Sequence, residues 1–258
     1  MGLFEKSHSI IEMPDEEELL WRYISLARYI QFLETSHLWF SRVDQFKDKF
    51  EGSVTPYNLI LRQQAEGQFS FLRESGMESL TSEVRKGKRN MGFANCWHSS
   101  QFESDSMWQK YPTSETVVLV SDRSHFRNGI ASDRDVYLGK VVYKNYLPGT
   151  SDYVDDMNIF GPLFTKRNNF EFEKEVRAVL LDDTDKNEPI SGAGNTREFW
   201  SLNPIGIGIG VDLNLLLKEV RVHPGGGKEF LQTVKNISHK YGLTAEVKDS
   251  EMNAEPLF

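Results

Sequence analysis

Residues 20–43 read LWRYISLARYIQFLETSHLWFSRV, and this stretch sets the expected fold. Leu20 to Ile24 is short, apolar and aromatic, interrupted only by Arg22, and reads as a strand. Ser25 is a helix-capping residue type. After it Leu26, Tyr29, Ile30 and Leu33 recur at the i, i+3, i+4 and i+7 spacing of one helical face. His37 to Val43 reads as a strand again. Further strand-like segments lie at 91–97, 116–121, 136–143, 170–181, 205–211, 218–222 and 245–247. They far outnumber helices long enough to cover both faces of a sheet. The expectation is an α+β fold with a mixed, largely antiparallel sheet.

Around this core, residues 1–18 read as an arm and 19–258 as a single domain with a helical excursion at about 59–90. The excursion ends in Arg85, Lys86, Lys88 and Arg89, the best candidate for a phosphate contact. Ser104 or Asp105 is placed to cap a short helix carrying Met107, Trp108 and Tyr111. After the Pro224-Gly-Gly-Gly227 turn, Phe230, Leu231, Val234 and Ile237 mark another helix. Residues 182–195 read as a surface loop.

The 258 residues, 39% apolar, are enough for a sizeable core, and a net charge of −8 argues against a surface coated for nucleic acid. One cysteine excludes an internal disulfide framework and a Cys-rich zinc site. The six histidines are scattered, none at ligand spacing with another, so no metal is expected. No run approaches the roughly 20 apolar residues that span a bilayer. The N-terminal MGLFEKSHSIIEMPDEEE lacks a leader pattern, and the expected location is cytoplasmic. Pro224-Gly-Gly-Gly-Lys228 lacks the rest of a phosphate-binding loop. Ile205-Gly-Ile-Gly-Ile-Gly210 is a strand pattern with one bare face, not a dinucleotide fingerprint.

Three clusters carry chemistry. In FEFEKEVRAVL (170–180), strand alternation puts Glu171, Glu173, Glu175 and Arg177 on one face, and Phe170, Phe172, Val176 and Ala178 with Lys174 on the other. Such a row is either a solvated charged face or a set of carboxylates lining a cleft, with Arg177 keeping a glutamate ionised. Arg22, amid apolar neighbours, needs a buried anion: a structural ion pair with these glutamates, or a phosphate or hydroxyl-rich ligand. Asn95-Cys-Trp-His-Ser-Ser100 and Ser106-Met-Trp-Gln-Lys-Tyr111 place Trp97, Trp108 and Tyr111 among polar residues, which suits a stacking wall as well as a core. Cys96 and His98, about 6.5–7 Å apart along a strand, do not make a nucleophile pair. Asp48 and Glu51 sit on a turn, where capping is the expected role.

Together these segments resemble an uncharacterised bacterial family. Its elements are matched here by Trp21-Arg22-Tyr23, Leu38–Ser41, Asp48–Glu51, Cys96, Met107-Trp108–Tyr111, and Phe170 with Glu173, Glu175 and Arg177. The match spans roughly residues 20–222, and it departs where the usual Asn-Asp-Pro reads Lys47-Asp48-Lys49. That family carries no settled activity.

The order of Arg22, the helix, Trp39-Phe40-Ser41 and a late glutamate also resembles the ADP-ribosyltransferase superfamily. The resemblance implies an ADP-ribosyltransferase-like fold and NAD as substrate. Glu175 becomes the catalytic carboxylate with Glu173 and Arg177 beside it, and Arg22, Tyr23, Ser41, Trp97, Trp108 and Tyr111 surround NAD. It further implies a bacterial toxin or phage-defence effector that modifies a nucleic acid or protein, with a neutralising or defence-system partner. The competing reading is a non-catalytic binding module whose Glu/Arg row forms a structural network around Arg22.

Overall fold

The computed structural model describes residues 11–68, 89–111, 113–181 and 204–256. The first ten residues of the arm, residues 69–88 of the helical excursion with Arg85, Lys86 and Lys88, and the loop at 182–195 lie outside the described residues.

The chain opens with strand β1 (Leu19–Ser25), helix α1 (Leu26–Thr35) and strand β2 (His37–Arg42). The Ser25 hydroxyl accepts from the Arg28 amide at 3.4 Å, satisfying one of the free amides of the first helical turn. Ser36, with φ 51°, ends the helix in the left-handed conformation and turns the chain into β2. Tyr29, Phe32 and Leu33 are the buried face of α1.

Helix α2 (Pro56–Gln68) follows, then β3 (Gly92–Ser99), α3 (Asp105–Lys110), β4 (Thr116–Asp122) and α4 (Arg123–Gly129). Ser104 caps α3 through its hydroxyl. The chain continues through β5 (Tyr137–Lys140), β6 (Val142–Lys144), α5 (Phe160–Leu163), β7 (Thr165–Arg167) and β8 (Glu175–Leu181). The last elements are β9 (Gly206–Gly210), α6 (Leu213–Leu216), β10 (Glu219–Val222), α7 (Gly227–Lys240) and β11 (Glu246–Lys248).

Nine strands form one sheet, in the order β11-β10-β4-β1-β3-β2-β9, with β8 added to β3 and β5 to β8. Every pair in it is antiparallel except β10 with β11. The fold is α+β with a mixed, mostly antiparallel sheet. Strand alternation sorts the core. Leu20 and Ile24 of β1 join Phe93, Trp97 and Val176 beneath α1 and α7, while Trp21 and Tyr23 join Met107 and Trp108 on the other face. A third cluster, around Phe160, Leu163 and Val179, packs below β8.

Two strand expectations need correction. The segment 136–143 is two strands in two sheets. At the break the Val141 amide donates to Glu175 O and the Val142 amide to Phe164 O, and β6 pairs with β7 in a separate two-stranded sheet. The segment 170–181 is not one strand either. Asn168–Glu173 is a 3-10 turn, Lys174 takes a left-handed φ of 37°, and the strand begins only at Glu175. Glu171 and Phe172 are exposed there, so the predicted four-residue charged face does not exist.

Candidate functional site

One edge of β3 serves two strands. β1 pairs with its last residues, Leu20 opposite Ser99 and Trp21 opposite His98, while β2 pairs with its first, Ser41 opposite Ala94 and Arg42 opposite Phe93. Between them the sheet splits, and Asn95, Cys96 and Trp97 have no ladder partner on that edge. Buried backbone groups must still be satisfied. Arg22 donates from Nη1 to the Cys96 carbonyl at 2.7 Å, and the Asn95 side chain donates from Nδ2 to the Trp39 carbonyl at 2.8 Å. Arg22 therefore interrupts an apolar strand because it fills a gap in the sheet.

Among the described residues no carboxylate lies within ion-pair distance of Arg22. Burial lowers its pKa and so does the like charge of Arg28, exposed on α1, while the Glu175 carboxylate pulls it the other way. The two guanidinium groups line one opening, on whose wall Glu173 and Glu175 also stand. Such a pair suits an anionic ligand held by fork-like donors.

On its other edge β3 carries β8, and there the carboxylates gather. The left-handed turn at Lys174 brings Glu173 and Glu175 to the same ammonium: Lys166 Nζ is 2.8 Å from Glu173 Oε2 and 2.8 Å from Glu175 Oε2. Lys110 holds Glu173 Oε1 at 2.7 Å. Arg177, wholly buried, donates from Nε to Glu175 Oε1 at 2.6 Å, from Nη2 to Glu51 Oε2 at 2.7 Å, and from Nη1 to the Leu163 carbonyl at 2.7 Å. Three carboxylates thus face three cations. The backbone amide of Glu175 donates to Tyr143 Oη at 2.8 Å, and the Cys96 thiol lies beside its carboxylate.

Burial alone would push the Glu175 carboxyl up; the charges of Arg177 and Lys166 override it and hold the group well below the usual carboxylate range. Burial works against the Lys166 ammonium, yet Glu175, Glu51 and Glu173 hold its pKa up. Burial raises the Cys96 thiol and lowers His98, whose Nδ1 bonds the Glu173 carbonyl at 2.6 Å.

These shifts set a pH window. Glu175 and His98 lie below ordinary values of 4.5 and 6.5, so each contributes stability above that value and loses it as the pH falls toward the folded-state pKa. Cys96 and Lys166 lie above ordinary values of 9.0 and 10.5, and their contributions are complete below those values and lost as the pH rises. Urea midpoints are expected to be flat from about pH 7 to 9 and to fall on either side. A stability maximum at about pH 5 would contradict this placement of charge.

Two cavities open on either side of Arg22. One, of about 430 Å³, is lined by Arg22, Arg28, Lys47, Lys110, Glu173 and Glu175, with Cys96, Trp97 and Tyr111 on its walls. The other, of about 540 Å³, is lined by Arg22, Arg28, Gln31, His37, Trp39 and Gly208. Arg22, Ile24 and Arg28 belong to both, so the guanidinium pair stands at their junction.

The structure thus brings Arg22, Glu173 and Glu175 to one cavity, with Tyr23 and Tyr111 stacked on its wall at 5.7 Å. Other candidates sit apart. Trp97 borders the cavity, but its ring is buried edge-on against Phe126. Trp108 is buried behind Tyr23 and lines neither cavity. Ser41, between Ala94 and Gly206 in the sheet, also lines neither. Arg177 acts beneath Glu175 without reaching the opening.

Glu51 does not cap the turn it sits on; its carboxylate is buried against Arg177 and Lys166. Asp48 does cap it, accepting from the Phe50 amide at 3.1 Å, and also pairs with Arg167 at 2.8 Å. Lys166, Lys110, Tyr143 and Arg28 carry no motif of their own, and only the tertiary fold assembles them. Among the described residues no group of three or more His, Cys, Asp and Glu side chains is placed to hold a metal, and no helix is long and apolar enough to cross a membrane. No family model, curated protein or solved structure matches the chain, so its chemistry is read from these residues alone.

Proposed function

We propose that this chain is an NAD-consuming enzyme of the ADP-ribosyltransferase kind, a bacterial toxin or defence effector acting on a nucleic acid or protein. One observation carries the reading: a guanidinium pair that has no carboxylate within ion-pair distance among the described residues stands at the junction of two cavities, one of which is lined by an ionised carboxylate. A dinucleotide has this pattern of two arms joined by a diphosphate. Arg22 and Arg28 take the diphosphate, and Tyr111 flanks the nicotinamide arm. Glu175 faces the ribose. As the glycosidic bond breaks, nicotinamide leaves with the bonding electron pair, and the positive charge on the ribose is stabilised by the carboxylate. The acceptor nucleophile then attacks that carbon and gives up its proton.

A second reading, an anion-binding module without catalysis, is favoured by the full engagement of Glu175, whose oxygens both meet Arg177 or Lys166. Incubating the protein with NAD and DNA, RNA or protein acceptors separates the two. Nicotinamide release supports the enzyme, and its absence with every acceptor class supports the module.

Arg22→Met tests the junction. The residue makes one hydrogen bond, to the Cys96 carbonyl, so stability should fall by only about 2 kcal/mol. NAD binding by calorimetry should weaken at least about tenfold, the scale of a charge-assisted contact. Unchanged affinity would remove Arg22 from the site, and outright unfolding would make it structural.

A further inference from the structure

The bare strand Ile205-Gly-Ile-Gly-Ile-Gly210 is a sequence feature that the proposed chemistry leaves unused. In the sheet it is β9, paired with β2 so that Trp39 lies opposite Gly208, His37 opposite Gly210 and Ser41 opposite Gly206. The indole of Trp39 leans over Gly206. A Cβ at that position would run into the six-membered ring and Nε1, so only glycine lets the ring lie down on the strand. His37 sits beside it, its imidazole in van der Waals contact with the site of a Cβ at Gly208.

Trp39 stays 48% exposed, whereas Trp21, Trp97 and Trp108 are at most 2% exposed. Its exposed surface forms a wall of the 540 Å³ cavity that begins at Arg22 and Arg28. A flat aromatic next to guanidinium groups with no ion-pair partner among the described residues matches a nucleotide chemically: the ring stacks a base, the cations take phosphate.

We infer that Trp39, seated on Gly206, is the stacking platform for the adenine ring of the dinucleotide, so that the 540 Å³ cavity is its adenosine half. The inference rests on the NAD reading and adds the determinant that would separate an adenine dinucleotide from a nicotinamide mononucleotide. Gln31 and Thr35 line the same cavity and supply it with polar groups.

The test is calorimetric titration of the full chain with ADP, nicotinamide mononucleotide and NAD, using wild type, Trp39→Ala, Trp39→Phe and Gly206→Ala, each checked by its thermal melt. Loss of a stacking ring should weaken ADP and NAD at least about fivefold in Trp39→Ala and leave the mononucleotide unchanged. Trp39→Phe should recover most of the loss. Gly206→Ala should reproduce it while retaining the indole; if that variant fails to fold, the two Trp39 variants decide. Wild-type affinity for ADP in Trp39→Ala overturns the platform, and does so independently of the NAD reading if Arg22→Met still loses NAD. Trp39-dependent ADP binding without nicotinamide release upholds the platform and removes the catalytic reading. A wild type that binds no ADP overturns the platform outright.

Discussion

Arg177→Met is expected to lower the unfolding free energy by about 3–5 kcal/mol, the scale of breaking a buried ion pair from one side. The side chain is wholly buried, and its three nitrogens are used on Glu175, Glu51 and the Leu163 carbonyl. Methionine fills much of the volume beside Phe46, whose ring lies 5.6 Å from the guanidinium carbon. It supplies no donor. Two carboxylates and a carbonyl lose their partner in an apolar setting; among the described residues Lys166 is the one cation left on Glu51 and Glu175, while Lys110 keeps its hold on Glu173. Such a loss is a large part of the 5–15 kcal/mol that typically stabilises a domain. The urea midpoint measures it. The double variant Arg177→Met, Glu51→Gln should recover part of the loss, because it removes one of the stranded charges. A single-variant loss below about 1 kcal/mol would mean that the cluster is hydrated and that Arg177 is not what holds it together.

The legible parts of this fold were those governed by local periodicity. Ser25 and the spacing behind it mark α1, and short apolar runs mark β1, β2, β4 and β10 as strands, because these signals are local to each element. FEFEKEVR misled for a physical reason. Its alternation is complete in sequence, but the chain turns at Lys174, and a 3-10 turn ahead of a left-handed residue leaves no periodic signature. Glu173 and Glu175 still meet at one site because Lys166 joins them from β7, a three-residue strand with no pattern to find. The aromatic segment misled in the other direction. Trp97 and Trp108 stand among Ser, His and Asn in sequence, yet alternation and the α3 turn carry both rings into the core. Trp39, read only as part of a strand, is the exposed one. The split of β3 between two partners is a matter of register between distant strands, and register does not show in a single strand's composition.

Glu175→Gln is expected to cut nicotinamide release at least about a hundredfold while the chain stays folded and binds NAD as before. The geometry explains why the fold should survive. Amide for carboxylate keeps the shape and keeps an oxygen for Arg177 Nε, now 2.6 Å from Glu175 Oε1. The buried charges then balance: Glu51 and Glu173 remain against Lys166 and Arg177, while Lys110, the more exposed cation, can turn to water. The amide nitrogen takes the place of Oε2 against Lys166 Nζ and Arg177 Nη2, both donors, so the stability cost is that of breaking a buried pair from one side, about 3–5 kcal/mol. The chemical cost is separate, because a neutral amide cannot offset the positive charge that grows on the ribose. Glu173→Gln provides the comparison. Its carboxylate comes before the left-handed Lys174, is shared between Lys110 and Lys166, and lacks the Arg177 contact that keeps Glu175 ionised. Glu173→Gln should therefore retain more of the activity than Glu175→Gln. Equal losses in the two would make the pair act as one unit through Lys166, and undiminished release by Glu175→Gln would remove that carboxylate from the mechanism.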